Sequence, residues 1–242
     1  MKRFFIPNSQ FNINDIVLTG VEHNHLKNVL RLTEGTQVIV VCEDGFDYVC
    51  NIEKIAKNQT NLTLVKKNVN IYDSKCNLSF FQALTKSDNM SLIVQKLTEL
   101  GVKTFYPFES AFITAKDKFG KVEKLQNISN QSIKQCKRSV AMKVMPVLKF
   151  EQMLKKLEEF DLIIFANECE KTKPLNASMF DKAKNVAVIV GSEGGFSEDE
   201  ILKIINCGAN SVSLGKRILR AETASIALAS VVMFLMGEWA YE

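Results

Sequence analysis

The residues best suited to chemistry lie in two segments of the C-terminal third. The first is GSEGG (191–195), which directly follows an apolar run and precedes Ser197. Because glycine has no Cβ, a turn of this composition lets the backbone approach a ligand closely. Glu193 stands between the glycines, where its carboxylate can accept hydrogen bonds from backbone N–H groups or from a ligand. A tight strand-to-helix connection without a ligand is the alternative.

The second segment, SLGKRILRAETAS (213–225), crowds Lys216, Arg217, Arg220 and Glu222 just before an uncharged stretch. Charged side chains at the start of a buried helix must either form ion pairs or contact a ligand or substrate, because burying them unpaired is costly. An Arg–Glu ion pair that closes the helix entrance is the alternative to a functional role.

A third segment, Lys134 to Lys149, carries five basic residues and no acidic one. A solvated basic face and a strip that contacts RNA phosphates both fit this pattern. His23 and His25 have no Cys or carboxylate cluster at metal-ligand spacing, so we predict no metal site. Signatures of a P-loop, a dinucleotide turn or a covalent nucleophile are missing from the sequence.

The composition belongs to an ordinary globular protein. The 242 residues are 46% hydrophobic with a formal charge of +4, so any nucleic-acid contact must come from local patches. Six scattered cysteines and the lack of a signal-peptide pattern predict reduced thiols and a cytoplasmic protein. The uncharged stretch 223–237 is too short to cross a membrane and predicts a helix buried on most of its faces.

The elements that must position these residues change character near Asn77. Before it, β-branched runs at 38–42, 48–55 and 60–67 predict a small β-barrel or sandwich, with a short helix over 23–32. The polar stretch 68–76 predicts a linker.

After Asn77, apolar runs alternate with helical patterns, which predicts an α/β fold with a parallel sheet. The runs are 78–84, 104–108, 161–167, 185–191 and 211–215. Gly101 and Gly208 are expected to end two helices, and Ser197 with Glu200 forms a capping box that starts the second of them. Ligands bind such sheets at the carboxyl ends of the strands, which is where GSEGG falls.

Five segments resemble the RsmE family, the ribosomal small-subunit RNA uridine-N3 methyltransferases of the SPOUT superfamily. They are HLKNVLRLTEG (25–35), KSDNMSLIVQKLTELGVKTFYPF (86–108), QCKR (135–138), GSEGGFSEDEI (191–201) and LGKRILRAETA (214–224). Ser192 replaces the proline that is more common in the family, which loosens the loop but keeps Glu193.

The resemblance implies that residues 1–70 form a PUA-like RNA-binding β-barrel domain. Residues 77–242 would form an α/β SPOUT methyltransferase domain with a C-terminal trefoil knot. It further implies S-adenosylmethionine as cofactor, a homodimer with the site near the subunit interface, and 16S ribosomal RNA or the small ribosomal subunit as partner. Neither a membrane nor a metal is implied.

The resemblance also implies roles for individual residues. Arg220, with Glu222 beside it, would face the substrate base. From the chemistry of methyl transfer to uridine N3, we hypothesise that Arg220 stabilises the uridinate and that Glu222 or Glu193 is, or orients, the base. The residues that would bind the cofactor are Ala166, Asn167, Gly191, Glu193, Gly194, Gly195, Leu214, Gly215, Ile218 and Leu219. Those that would contact RNA are Arg31, Lys134, Lys137, Arg138 and Arg217.

Three alternatives remain open. A SPOUT relative could methylate a ribose 2′-hydroxyl or another base, and the methylated nucleoside would tell these apart. A non-catalytic RNA-binding protein would bind RNA but no S-adenosylmethionine. The bare α/β pattern would also suit a nicotinamide-dependent oxidoreductase, although the dinucleotide fingerprint is missing.

Overall fold

The computed structural model describes residues 1–112 and 122–239. The chain forms two compact units, the first made of residues 1–73 and 130–141 and the second of residues 74–129 and those from 142 onward. Each unit has its own hydrophobic core. No helix in the described ranges is both long enough and apolar enough to cross a membrane.

The first unit is built on a five-stranded sheet. Its strands are Lys2–Phe5 (β1), Ile16–Thr19 (β2), Gln37–Val41 (β3), Phe46–Ile55 (β4) and Gln59–Val69 (β5). Their order is β1-β3-β4-β5-β2, with β1 parallel to β3 and the other pairs antiparallel. The three predicted strands are confirmed, and β1 and β2 join them.

The predicted short helix is present in two parts. Helix α1 (Gly20–Asn24) continues into a π-helical turn over His25–Val29. The Leu26 side chain is fully buried in the core of the first unit, which explains the amphipathic pattern.

The prediction of a linker over 68–76 is wrong in its first half. Strand β5 runs to Val69, and the buried Asn70 follows it as a hydrogen-bond hub. Its amide donates to Asp47 Oδ1 at 2.6 Å and to the backbone oxygen of Lys137 at 2.9 Å. Its Oδ1 accepts from the backbone N–H of Tyr72 at 2.8 Å. A polar composition indicated a linker here because local sequence does not show the distant partners that satisfy these groups.

The second unit is an α/β structure with a parallel sheet, as predicted, but the sheet has six strands because Lys143–Val144 joins the five predicted runs. Its strands are Asn77–Ala83 (β6), Thr104–Phe108 (β7), Lys143–Val144 (β8), Leu162–Ala166 (β9), Asn185–Val190 (β10) and Asn210–Val212 (β11). Their order is β11-β9-β10-β6-β7-β8. The last strand ends at Val212, three residues before the predicted end.

Helices cover both faces of this sheet. They are Ser87–Glu99 (α2), the first half of Val122–Cys136 (α3), Phe150–Leu157 (α4), Glu198–Asn206 (α5) and Ala221–Leu235 (α6). From residue 130 onward, α3 belongs to the first unit. Neighbouring strand residues point to opposite faces, so Phe80 packs in the core with α2 and α6 whereas Phe81 packs with α4 and α5. Burial on both sides is why these strands are apolar at successive positions.

The caps predicted for these helices are confirmed. Ser197 Oγ accepts from the Glu200 N–H at 3.3 Å, and Glu200 Oε2 accepts from the Ser197 N–H at 2.9 Å. Gly101 and Gly208 follow their helices with φ of +99° and +85°, in the left-handed region that favours glycine. This capping box fixes the start of α5 immediately after GSEGG.

The burial predicted for the uncharged helix holds for one side only. On α6, Leu228 and Val232 are fully buried in the core. Val231 is 44% exposed and Phe234 is 60% exposed on the same helix. An apolar helix face therefore lies open on the surface of the second unit.

Candidate active site

Three neighbouring parallel strands end side by side and lead into the loops that carry the predicted site. Val212 of β11 pairs with Ala166 of β9, and Ile189 of β10 pairs with Phe165 of β9. The three loops that follow therefore leave the sheet at one edge, its carboxyl edge. In open α/β sheets, ligands bind in the crevice outside this edge.

The GSEGG loop after β10 is a tight reversal. The Gly195 N–H donates to the Ser192 oxygen at 3.0 Å, and Gly195 has φ of +68°. A Cβ on Gly191 would lie 2.9 Å from the Phe196 ring, and one on Gly194 would lie 2.8 Å from the Phe112 Cβ. These glycines are thus required by the packing and conformation of the chain itself.

Glu193 has an exposed side chain that binds the neighbouring helix. Its Oε1 accepts from the side-chain amide of Asn89 at 3.1 Å and lies 3.5 Å from the backbone N–H of Lys86. Lys86 is the N-cap of α2, so the carboxylate lies at the positive end of this helix dipole. Glu193 therefore anchors the GSEGG loop to α2.

The loop after β9 lies against both of its neighbours. The Asn167 amide donates to Ser211 Oγ at 3.1 Å, which ties this loop to β11. On the other side, a Cβ on Gly195 would lie only 2.6 Å from Glu168 Oε1. The predicted cofactor residues of all three loops are thus gathered at one edge of the sheet.

Glu170 lies further along the loop that follows β9. The backbone N–H and the hydroxyl of Thr172 donate hydrogen bonds to its carboxylate, which lowers the pKa of Glu170.

The segment after β11 presents apolar side chains at the same edge. Leu214 and Leu219 are half-buried and pack against the core below. Gly215 turns the chain between them with φ of +97°. Ile218 is 87% exposed, an unusual position for a large aliphatic side chain unless a ligand or another surface covers it.

The charged residues that follow are not paired with one another. Arg220 is the exposed N-cap residue of α6, and Glu222 lies in the first turn. The ion pairs formed by the described residues include neither Arg217, Arg220 nor Glu222, so the Arg–Glu ion pair considered above is not formed. Glu222 Oε2 is buried without a hydrogen-bond partner in the described part of the chain. The structure thus places an exposed guanidinium beside a buried carboxylate oxygen that no described residue satisfies.

Two family models match this chain. An RNA methyltransferase domain matches residues 73–233, and an RNA methyltransferase PUA domain matches residues 18–65. The protein named ribosomal RNA small subunit methyltransferase E in Bacillus subtilis (strain 168) is 30% identical, over 97% of this chain and 96% of that protein. The chain belongs to the ribosomal RNA small subunit methyltransferase E family.

Another family member and a solved structure also match this chain over almost its whole length. The Aquifex aeolicus (strain VF5) protein of the same name is 30% identical over 91% of this chain and 94% of its own length. A Legionella pneumophila structure, described as a methyltransferase in complex with the bound cofactor SAM, has a TM-score of 0.83 and 25% identity over 96% of each chain. Family membership leaves the oxidoreductase alternative without support.

The residues predicted to contact RNA divide between the two units of this family member. Arg31 and Lys137 are exposed in the first unit, and both are non-glycine residues in the left-handed region, with φ of 51° and 68°. Arg217 is exposed in the second unit. A non-glycine residue in this region costs free energy, so the backbone is strained at both positions.

The other two predicted RNA contacts need correction. Arg138 has a side chain only 4% exposed, and its Nε lies 3.6 Å from Asp73 Oδ1. Lys134 Nζ lies 2.7 Å from Glu22 Oε1, and these side chains are only 12% and 13% exposed. Both basic groups are turned to internal carboxylates, so neither is presented to a phosphate. The segment 134–149 is therefore not a continuous basic face.

Two site residues were missed from the sequence. Gln82 on β6 is fully buried and donates from Nε2 to the Gly191 oxygen at 2.8 Å. Glu200 Oε1 accepts from the Ala111 N–H at 2.8 Å, so the capping carboxylate also holds the chain after β7. A glutamine within the apolar run LSFFQAL was the available signal, because a buried amide requires partners.

The histidines and cysteines lie elsewhere. His23 is buried, with Nδ1 2.8 Å from Thr60 Oγ1 and Nε2 3.2 Å from the Lys57 oxygen. Among the described residues, no group of three His, Cys, Asp or Glu side chains could hold a metal ion. All six cysteines are free.

Proposed function

We propose that this protein transfers a methyl group from S-adenosylmethionine to N3 of a uridine in 16S ribosomal RNA of the small subunit. The observation that carries the proposal is the carboxyl edge of the second unit. Three loops meet there beside the Arg220 guanidinium and the buried Oε2 of Glu222, neither of which has an ion-pair or hydrogen-bond partner among residues 1–112 and 122–239.

The residues at this edge suit the cofactor. Leu214, Ile218 and Leu219 offer apolar side chains for an adenine ring, with main-chain groups between them. The loops at Ala166–Asn167 and 191–195 supply backbone polar groups. Gly215 adds no side chain to the third loop, so a ligand can approach its backbone closely. When bound, the cofactor supplies a sulfonium methyl group, which N3 of uridine takes while the sulfur keeps the bonding electron pair.

The chain must remove one proton and stabilise one charge. Neutral uridine holds a proton on N3, and we assign its acceptance to Glu222, whose Oε2 has no hydrogen-bond partner among the described residues. The carboxylate must turn out of its buried position to reach the base. Arg220 then donates hydrogen bonds to the uridine oxygens as negative charge develops. Glu193 acts by positioning the GSEGG loop and not as the base, because its carboxylate already accepts hydrogen bonds from Asn89 and Lys86.

The RNA is held by exposed arginine and lysine side chains. Arg31, Lys137 and Arg217 contact phosphates in this proposal, and residues 1–70 serve as the RNA-binding PUA-like domain. A paired uridine hides N3 in its Watson–Crick edge, so the target base must be unpaired or splayed out. A substrate of this kind places the protein in the cytoplasm.

The architecture proposed for residues 77–242 is a SPOUT domain with a C-terminal trefoil knot, acting as a homodimer. Support for the dimer comes from the exposed apolar face of α6 at Val231 and Phe234, to which Trp239 adds an exposed ring 6.0 Å from that of Phe234. Replacing Phe234 with Asp should yield monomers in sedimentation velocity, whereas Leu202→Asp on the exposed side of α5 should not.

The decisive test is methyl transfer itself. Purified protein is incubated with isotopically labelled S-adenosylmethionine and either 16S RNA or small subunits, and the RNA is digested to nucleosides. We expect label in 3-methyluridine. Label in a 2′-O-methyl nucleoside would assign a different SPOUT activity. RNA binding without cofactor binding in a calorimetric titration would indicate a non-catalytic protein.

A further inference from the structure

A buried hydrogen-bond chain joins the GSEGG loop to α6 at Ser225, one turn after the start of this helix. Its members, Gln82 on β6 and Ser225 on α6, are both fully buried. Gln82 Nε2 donates to the Gly191 oxygen at 2.8 Å, and Gln82 Oε1 accepts from Ser225 Oγ at 2.6 Å. Ser225 Oγ also lies 2.8 Å from the Ala221 oxygen, one turn earlier on α6.

The side chains beside this amide on the neighbouring strands are apolar, and its Nε2 also donates to the Ala83 oxygen at 3.1 Å and lies 3.5 Å from the Val190 oxygen. Gln82 pairs in register with Val190 on one side and Pro107 on the other. An amide in such a place costs free energy unless its polar atoms are bonded, whereas a leucine would pack there without that requirement. The presence of an amide at position 82 is therefore explained by its hydrogen bonds to Gly191 and Ser225, not by packing.

We propose that Gln82 and Ser225 are positioning residues for methyl transfer, an inference that rests on the proposed function. Gly191 begins a loop that would bind the cofactor, and the first turn of α6 carries Glu222 next to its N-cap Arg220. The Gln82 amide is bonded to the cofactor loop at Gly191 and, through Ser225, to the helix whose first turn carries Glu222. A displacement of about 1 Å between reacting groups can cost on the order of 10²-fold in rate, so a rigid link between the halves matters for catalysis.

The matched control is Thr98, near the C-terminal end of α2 and away from the three loops. It is also fully buried, and its Oγ1 donates to the Val94 oxygen at 2.7 Å and lies 3.1 Å from Ser129 Oγ. Thr98→Val removes a buried hydroxyl of similar depth while keeping the shape of the side chain. A loss of general stability should therefore resemble the one caused by Ser225→Ala.

The experiment compares wild type, Gln82→Leu, Ser225→Ala, the double variant and Thr98→Val. For each, calorimetry gives the Kd for S-adenosylmethionine, single-turnover assays at saturating cofactor give the methylation rate, and a thermal melt gives Tm. Gln82→Leu should raise the Kd roughly tenfold and lower the rate by roughly 10²-fold, because both halves of the site lose their link. Ser225→Ala should lower the rate by roughly threefold to tenfold with a nearly normal Kd, since the bond to Gly191 remains. The double variant should match Gln82→Leu, because Ser225 acts through Gln82.

The proposal is overturned if folded Gln82→Leu and Ser225→Ala keep wild-type Kd and rate. It is also overturned if Thr98→Val slows methylation as much at an equal loss of Tm, or if the two single effects multiply in the double variant. Should Gln82→Leu fail to fold, Ser225→Ala decides alone, because alanine is a strong helix former. Wild-type protein that neither binds the cofactor nor methylates RNA would instead refute the proposed function.

Discussion

The carboxylate of Glu193 accepts a hydrogen bond from the side-chain amide of Asn89 at 3.1 Å and so fastens the GSEGG loop to the first turn of α2. This bond separates the roles of two acidic residues that the sequence left equivalent. Glu193 is engaged within the chain, whereas Glu222 keeps a buried oxygen without a partner among the described residues. We therefore assign anchoring to Glu193 and proton transfer to Glu222.

The first prediction tests that assignment by removing each charge in turn. Glu222→Gln should lower the single-turnover rate by roughly 10²-fold or more, because a general base is lost. Glu193→Gln should change it by less than about fivefold, since the amide oxygen still accepts from Asn89. Quench-flow measurement at saturating cofactor gives both rates. The opposite ranking of the two variants would exchange their roles.

The second prediction concerns Arg220, which forms no ion pair within the described part of the chain. Arg220→Ala should lower the methylation rate by roughly 10²–10³-fold, because charge developing on the uridine loses its donor. The Kd for S-adenosylmethionine should stay near the wild-type value in a calorimetric titration. Arg220→Lys keeps the charge but loses the planar pair of donors, so we expect a partial defect. Wild-type turnover in Arg220→Ala would refute the assignment.

The third prediction uses the left-handed conformation of Arg31 and Lys137. Replacing either with glycine should raise the free energy of unfolding by about 0.5–1 kcal/mol, because the backbone strain is removed. The same change should weaken RNA binding and reduce the salt slope by about 1 for each phosphate that the variant no longer binds.

The matched control for this prediction is Glu43, which has φ of 64° in the same unit. Glu43→Gly should stabilise the protein without weakening RNA binding. Denaturant unfolding and filter binding at several salt concentrations measure the two effects. Unchanged RNA affinity in Arg31→Gly and Lys137→Gly would remove both residues from the RNA surface.

The fourth prediction separates Arg138 from the residues that bind RNA. Arg138→Gln leaves the Asp73 carboxylate without its cationic partner, which should destabilise the protein by roughly 2–3 kcal/mol, below the range for fully buried pairs because Asp73 is 20% exposed. RNA affinity measured well below Tm should remain that of wild type. A selective loss of RNA affinity with normal stability would restore the phosphate-binding role.

The fifth prediction concerns alkaline pH. Burial raises the pKa of the Cys50 thiol from 9.0 to about 11. Between these values the unfolded chain releases a proton that the folded chain keeps, so the free energy of unfolding falls as pH rises, by at most about 1.4 kcal/mol per pH unit for this thiol. Urea unfolding across this pH range measures the slope. Cys50→Ala should make the slope of unfolding free energy against pH less steep, and an unchanged slope would contradict the prediction.

Much of the second unit followed from local sequence. The runs at 104–108 and 185–191 are apolar at successive positions because helices cover both faces of the sheet, and this pattern is visible without coordinates. The capping box at Ser197 and the glycines that end α2 and α5 are equally local, because each bond spans only a few residues. Sequence alone therefore located the loops at the end of the sheet where a ligand would bind.

The partners of charged and polar side chains were decided by the tertiary structure. Lys134 meets Glu22 across 112 positions, and Gln82 meets Gly191 across 109. Composition shows that a segment is basic, but whether its charges face water depends on carboxylates brought from distant parts of the chain. The sequence thus predicted most of the central strands and the site loops, whereas the tertiary structure decided which polar and charged side chains are bound within the protein and added the strands β1, β2 and β8. The physical reason is that periodicity records which face of an element is buried, while ion pairs and buried hydrogen bonds depend on residues that only the fold brings together.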